Sequence, residues 1–392
     1  MRDELDRSER LRERRRAMRR RRRRRQVALV AVLALAAASV GVGARFLTPG
    51  ESSSRPGSES KSERAGKANR EPRPLPYEMR GVHVTMALAS LPGRLNRYFA
   101  LTKSGLNTIQ LDVKDENGEV AFSSPRIALA HEVGAARTYY RPRPVARRAH
   151  ARGLYLIGRV VTFQDPILSA GRSGMAIRTR GGGVWTTPAG LGWANPYDRR
   201  VWKYNVDIAE AAVRSGFDEI MFDYVRFPSD GDVDAAVYKG RKPGPRSATI
   251  ARFLAYAGKR LRPLGARISA AVFGLSATRE LGIGQATRRV APHLDVIYPM
   301  VYPSHYGAGE LGLDDPNALP GWTVARALRD FRRKLRGSDT RLIPWLQDFS
   351  LGRTYGLEDV EAQVDAARDA ATGGFLLWNP SGVYNEDALK AE

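Results

Sequence analysis

The sequence predicts an α/β protein, a parallel (β/α)8 barrel preceded by an apolar N-terminal segment and a linker. Three observations lead there. From Met79 onward, short apolar runs of strand character alternate with amphipathic stretches of helical period, the pattern of a parallel sheet covered by helices. Eight such units over about 310 residues suit a closed barrel with one or two loop insertions. No Gly-rich phosphate loop follows the first strand, which counts against the rival doubly wound sheet.

The N-terminal elements come first in the chain. The 392 residues carry a formal charge of +23, spread unevenly. Residues 1–26 hold fourteen Arg against five acids, including an unbroken Arg run from Arg19 to Arg25, and read as a basic cytoplasmic tail. Residues 27–43 are uncharged and rich in Ala, Val and Leu; extended to residue 47 with Arg45 snorkelling, they are just long enough for a transmembrane signal-anchor. The basic flank puts the N-terminus in the cytoplasm and the body outside, at the cell membrane. A cleaved signal peptide, with a site in the Ala-rich stretch near residues 36–44, is the rival; it would make the protein secreted. The basic region is long for that. An Arg run also invites a nucleic-acid reading, but directly before an apolar segment its nearer partners are anionic headgroups, so no nucleic-acid partner is expected. Residues 48–76 are rich in Ser, Pro, Gly and charge, cannot bury enough apolar surface to fold, and read as a flexible linker. The barrel domain is expected over residues 77–392. The absence of cysteine excludes disulfides, thiolate metal sites and a cysteine nucleophile.

In the barrel, strands are expected at 80–85, 107–113, 154–161, 219–224, 267–273, 295–301, 342–347 and 375–378. Helices lie between them, for example at 200–214, 247–262, 324–335 and 357–371. Gly105, Gly153, Gly216 and Gly373 announce several strands. A barrel of this kind carries its active groups at the C-terminal ends of its strands, and that is where the unusual residues fall. The first strand ends near His83 and Thr85, the second in Asp112-Val113-Lys114-Asp115-Glu116-Asn117-Gly118, and the third near Arg159 with Gln164-Asp165-Pro166 beyond. The fourth ends in Asp223-Tyr224-Val225-Arg226, the sixth in Tyr298-Pro299-Met300-Val301-Tyr302-Pro303-Ser304-His305-Tyr306, the seventh in Trp345-Leu346-Gln347-Asp348 and the eighth in Trp378-Asn379-Pro380. Alternation puts Tyr298, Met300 and Tyr302 on one face, expected to line the barrel mouth, and Ile297 and Val301 on the other.

Carboxylates, cations and aromatic rings around one mouth suit a polyhydroxylated ligand. Glycoside hydrolysis needs two carboxyl groups flanking the bond, and Asp112, Asp165, Asp223 and Asp348 are the strand-end candidates. Each has a plainer reading: ion pairs for Asp223 with Arg226 and for Asp112 with Lys114, a turn start for Asp165, a cap for Asp348. Trp185, Trp193 and Trp378 are sugar platforms or covers for hydrophobic loops. His83 and His305 are too isolated to argue a metal site and read as neutral hydrogen-bonding groups; neither metal nor cofactor is expected.

Residues 111–118, 216–228 and 298–306 together resemble a bacterial family, the glycoside hydrolase domain once catalogued as a domain of unknown function (DUF4015) and expected to be a TIM barrel. Asn195-Pro196-Tyr197-Asp198 leading into Val201-Trp202 is similar to the same family's entry to its third helix. The resemblance spans about residues 78–390 and implies that Asp223 is the principal catalytic carboxylate. It supplies no partner. Chitinase-like enzymes end their fourth strand with a Glu two residues after the last Asp; here that position is Val225. The fifth strand has no acid where amylase-like barrels place theirs.

The leading expectation is a membrane-anchored extracytoplasmic glycoside hydrolase acting on a cell-envelope or environmental polysaccharide. Asp223 acts as nucleophile or base, and Asp348 or Asp112 as proton donor. Arg226, Lys114, Tyr224, Tyr298, Tyr302, His305, Trp345, Gln347, Trp378, His83 and Arg159 are the expected substrate contacts. A non-catalytic glycan-binding barrel at the cell surface shares the aromatic mouth but needs no paired acids. A lyase or isomerase using Lys114 or a tyrosine as base is a third reading.

Overall fold

The computed structural model describes residues 70–240 and 244–390. Nine parallel segments form one closed sheet: β1 (Met79–Val84), β2 (Thr108–Lys114), β3 (Tyr155–Val161), β4 (Glu219–Asp223), β5 (Arg267–Phe273), β6 (Val296–Val301), β7 (Arg341–Leu342), β8 (Trp345–Gln347) and β9 (Gly374–Trp378). The order runs β5-β4-β3-β2-β1-β9-β8-β6-β7, and pairing of β5 with β6 closes it. The short β7 and β8 are two pieces of one staff: Pro344 between them has no N–H to give the ladder. The result is the eight-staved barrel that the alternating pattern predicts, with strand bounds within one or two residues of those expected.

Alternation sorts the side chains. Outward residues such as Ile109, Leu111, Leu156, Val160, Ile220, Phe222 and Ile268 are buried beneath the surrounding helices. The helix Arg199–Arg214 buries Val201, Trp202, Tyr204, Ile208, Ala209 and Val213. Each large apolar side chain withdrawn from water contributes about 1.5–3 kcal/mol. Inward residues form a separate interior cluster that includes Met79, Tyr155, Ile157, Met221, Ala271, Tyr298, Ile343, Trp345 and Leu376. The barrel is filled, so a ligand meets it only at the rim.

Of the expected linker, residues 70–76 lie against the barrel. The Arg70 N–H donates to the Pro263 carbonyl at 3.4 Å, and Leu75 packs on the interior cluster. The expected tail and signal-anchor, with linker residues 48–69, fall outside the described residues. Among the described residues no helix is long and apolar enough to cross a membrane.

Candidate active site

The site forms where inward side chains of β1 to β4 end. Asp112 sits opposite Arg159 in the β2–β3 register, and Val161 opposite Asp223 in β3–β4. The guanidinium of Arg159, 3% exposed, reaches up between them. Its Nε donates to Asp223 Oδ2 at 2.8 Å, Nη1 to Asp112 Oδ1 at 2.9 Å and Nη2 to Glu116 Oε1 at 2.8 Å. Three carboxyl groups thus share one cation. Groups bonded to one planar fork cannot stand further apart than its width plus two hydrogen bonds, on the order of 8 Å, inside the ~9.5 Å limit for two-acid glycoside hydrolysis.

Their environments differ. Burial pushes Asp112 up to about 7; Arg159 opposes this, while Glu116 and Asp223 add to it. For Glu116 burial acts in the same direction, but the Arg159 charge and its hydrogen bond outweigh it and hold the group low. Glu116 is also the most accessible of the three, its side chain 38% exposed. Two carboxyl groups driven apart in this way divide naturally into an acid and an anion. His83 flanks them: Nδ1 meets Gln110 Oε1 at 2.5 Å and Nε2 lies 3.8 Å from Asp112 Oδ2. Burial, then Arg159, lowers His83 to about 4, so it stays neutral.

Local backbone aims these groups. Tyr224, directly after Asp223, has φ +45°, a left-handed conformation a bulky residue rarely adopts. Its N–H donates to Asp223 Oδ1 at 2.7 Å, so both Asp223 oxygens are fixed. Glu116 is presented by a turn in which the Asp115 carboxylate accepts the N–H groups of Asn117 and Glu119 at 3.1 and 2.9 Å. Gly118 closes the turn at φ +81°, and a Cβ there would stand 2.3 Å from Asp165 Oδ1. On the opposite rim Tyr302 stacks on Trp378 at 5.3 Å, with Phe349 edge-on to both at 5.8 and 5.0 Å and His305 edge-on to Tyr302 at 5.3 Å. Among the described residues the buried Tyr302 hydroxyl has no hydrogen-bond partner, and the charge of Asp223 acts on it.

Of the residues singled out from sequence, the structure brings together Asp112, Asp223, Arg159, His83, Tyr224, Tyr302, His305 and Trp378. Others it places elsewhere. Lys114 is fully buried on the outer side of the barrel, pairing with Asp165 at 2.7 Å and donating to the Val161 carbonyl and Asn205 Oδ1 at 2.7 and 3.1 Å. The cause is a β-bulge at the end of β2, which pairs Lys114 with outward-facing Val160 instead of continuing the inward row. Asp165 also caps the helix Pro166–Gly171 through the Leu168 N–H at 2.8 Å, which removes it from the catalytic candidates. Tyr298 is on the expected face but at the wrong height: it lies at the barrel base, its hydroxyl 3.5 Å from Met79 Sδ and interacting with Glu219.

Asp348 accepts the Asn385 N–H at 2.8 Å and its Nδ2 at 2.6 Å, tying down the C-terminal segment; no hydrogen bond or ion pair joins it to the cluster. Gln347 bonds Ser304 at 3.1 and 2.8 Å and the Phe349 carbonyl at 2.9 Å, and so positions the aromatic rim without facing the mouth freely. Trp345 is buried beneath His83, ring to ring at 6.0 Å. Trp185 and Trp193 are buried, so they cover loops. Arg226 does not pair with Asp223; that contact belongs to Arg159. Sequence alone assigns Glu116 no role, although it lies inside the second strand-end motif. A third acid within four residues of Asp112 was the available signal. Among the described residues no group of His, Asp and Glu has the arrangement of a metal site.

Comparison with known proteins agrees with the barrel fold. No curated protein matches the chain. A crystal structure of a hypothetical protein from Ruminiclostridium thermocellum is 33% identical over 48% of this chain and 96% of its own, with a TM-score of 0.45. The PgaB (BpsB) glycoside hydrolase domain from Bordetella bronchiseptica superposes with a TM-score of 0.57, covering 80% of this chain and 99% of its own at 12% identity. The catalytic domain of the Paenibacillus polymyxa beta-amylase gives 0.51, covering 81% and 96% at 12% identity. At such identities the last two show a shared barrel fold. The family model described as "putative glycosyl hydrolase domain" (DUF4015) matches residues 81–384, and the chain belongs to that family.

Proposed function

We propose that this protein is a membrane-anchored, extracytoplasmic glycoside hydrolase that cleaves a cell-envelope or environmental polysaccharide with two carboxyl groups at the barrel mouth. The observation that carries the reading is the cluster of Asp112, Glu116 and Asp223 on the Arg159 guanidinium. Asp112, pushed up to about 7, holds a proton near neutral pH and gives it to the departing glycosidic oxygen. Asp223, fixed at both oxygens, acts on the anomeric carbon directly or through water. In sum the C–O bond breaks, its oxygen takes the Asp112 proton, and water supplies the new oxygen and restores the protons. Arg159 and Glu116 set the field in which positive charge develops on the sugar. The stacked Tyr302–Trp378 pair offers an apolar wall to the sugar ring.

The basic run followed by residues 27–47 supports the anchor and the extracytoplasmic placement of the barrel. The test is to incubate the full-length protein with a panel of polysaccharides, peptidoglycan among them, and measure new reducing ends. Release from at least one polymer is expected. Binding without release from any would favour a non-catalytic glycan-binding barrel, for which the aromatic wall alone would serve.

A further inference from the structure

Two guanidinium groups stand at the C-terminal ends of the inner strands, in opposite condition. Arg159 donates to a carboxyl group from each of its three nitrogens. Arg226 is 5% exposed, yet its side chain makes only two hydrogen bonds, both from Nη1, to the Phe227 carbonyl and to Ser229 Oγ at 3.1 Å each. Among the described residues Nε and Nη2 donate to nothing and no carboxylate forms an ion pair with the group. Three aromatic faces surround it instead: Phe273 at 4.7 Å, Trp193 at 5.0 Å and Tyr224 at 5.1 Å. Phe273 is the last inward residue of β5 and Tyr224 follows Asp223, so the cage borders the carboxylate cluster. The charges of Asp230 and Asp223 act on Arg226 across space without touching it.

A buried cation without a counter-ion is an unfavourable arrangement. Facing rings offset part of the lost hydration but satisfy no N–H. What remains is a planar edge of free donors, held rigid by its cage, and such an edge matches the two oxygens of a carboxylate. Burial lowers the Arg226 pKa, a shift that an incoming anion reverses.

We infer that Arg226 is a specificity residue whose Nε–Nη2 edge receives the carboxylate of an acidic sugar next to the scissile bond, so that the substrate is a uronic or otherwise carboxylated glycan. The inference rests on the hydrolase reading for what happens at the mouth, but binding can be measured apart from turnover.

The experiment titrates full-length wild-type protein, at low salt and with tryptophan fluorescence as readout, against three pairs of monosaccharides. These are glucuronate and glucose, galacturonate and galactose, and N-acetylmuramic acid and N-acetylglucosamine. In at least one pair the acid should bind about 10- to 100-fold more tightly. Arg226→Gln should bring that ratio close to one, and Arg226→Lys should keep part of it. No acid preference in any pair, no binding of any acid at millimolar concentration, or an unchanged ratio in an Arg226→Gln protein with a wild-type circular dichroism spectrum overturns the inference. Failure of the hydrolase reading looks different: acids bind with the expected preference while no polysaccharide is cleaved.

Discussion

Arg159 Nε donates to Asp223 Oδ2 at 2.8 Å across the β3–β4 pair, on a guanidinium that Asp112 and Glu116 also share. Each nitrogen of Arg159 already donates to a carboxyl group, so its main role is to hold three acidic side chains together within one mouth. Removing one partner from a buried ionic network leaves uncompensated charge. Arg159→Met should destabilise the fold by about 3–5 kcal/mol near neutral pH. Urea titration of variant and wild type measures this, and a loss below about 1 kcal/mol, the range of surface ion pairs, would contradict it.

Lys114 lies outside the site. Lys114→Met strips the counter-charge from buried Asp165, so stability should fall by about 3–5 kcal/mol. The Michaelis constant of the folded fraction should not move. A raised constant with unchanged stability would return Lys114 to the substrate.

Asp112 sets the alkaline limb of the pH profile. A proton donor whose pKa is raised to about 7 is loaded below that pH and empties above it, so kcat/KM should fall about tenfold per unit above pH 7. Asp112→Asn should lower polysaccharide turnover by about 10²- to 10⁴-fold. On aryl glycosides with acidic leaving groups the loss should be much smaller, because those leave without protonation. Equal losses on both substrates would remove Asp112 from the donor role, and in Glu116→Gln the alkaline limb should persist on the polysaccharide but move to lower pH, because the Glu116 charge helps to raise Asp112.

Glu219, at the barrel base, accepts hydrogen bonds from Ser269 at 2.5 Å and Tyr155 at 3.1 Å, yet burial raises it to about 7. Its folded pKa lies above the unfolded value near 4.3, so its contribution to stability is fully present below that value and lost as pH rises through 7. In Glu219→Gln this loss should disappear. Melting temperatures between pH 4 and 9 check it: the variant should gain on wild type as pH rises, and parallel curves would refute the assignment.

The barrel is legible because each strand shows one apolar face to the helices and every strand but the fifth marks its end with unusual residues, as Asp112 and Asp223 do. Alternation in the sixth strand holds as well, with Tyr298, Met300 and Tyr302 in the interior cluster and Ile297 and Val301 beneath the helices. It fails where the ladder does. The bulge ending β2 turns Lys114 outward, and no local pattern in the sequence marks it. Parity gives a face but not a height, which is why Tyr298 was expected at the mouth and lies at the base. Glu116 stands in a turn, where alternation has no meaning. Asp348 is occupied by Asn385, a partner brought to it only by the C-terminal segment's path over the barrel. Arg226 follows Asp223 by three residues, but its aromatic cage draws on Trp193 and Phe273 from other loops and strands, which no local pattern shows.

The most direct test is the turnover of Asp223→Asn on a polysaccharide that the wild-type protein cleaves, with binding to the same polymer measured in parallel. The account predicts a fall in released reducing ends of about 10²- to 10⁴-fold or more, with binding within a few fold of wild type. Turnover equal to wild type in a folded Asp223→Asn protein would contradict it.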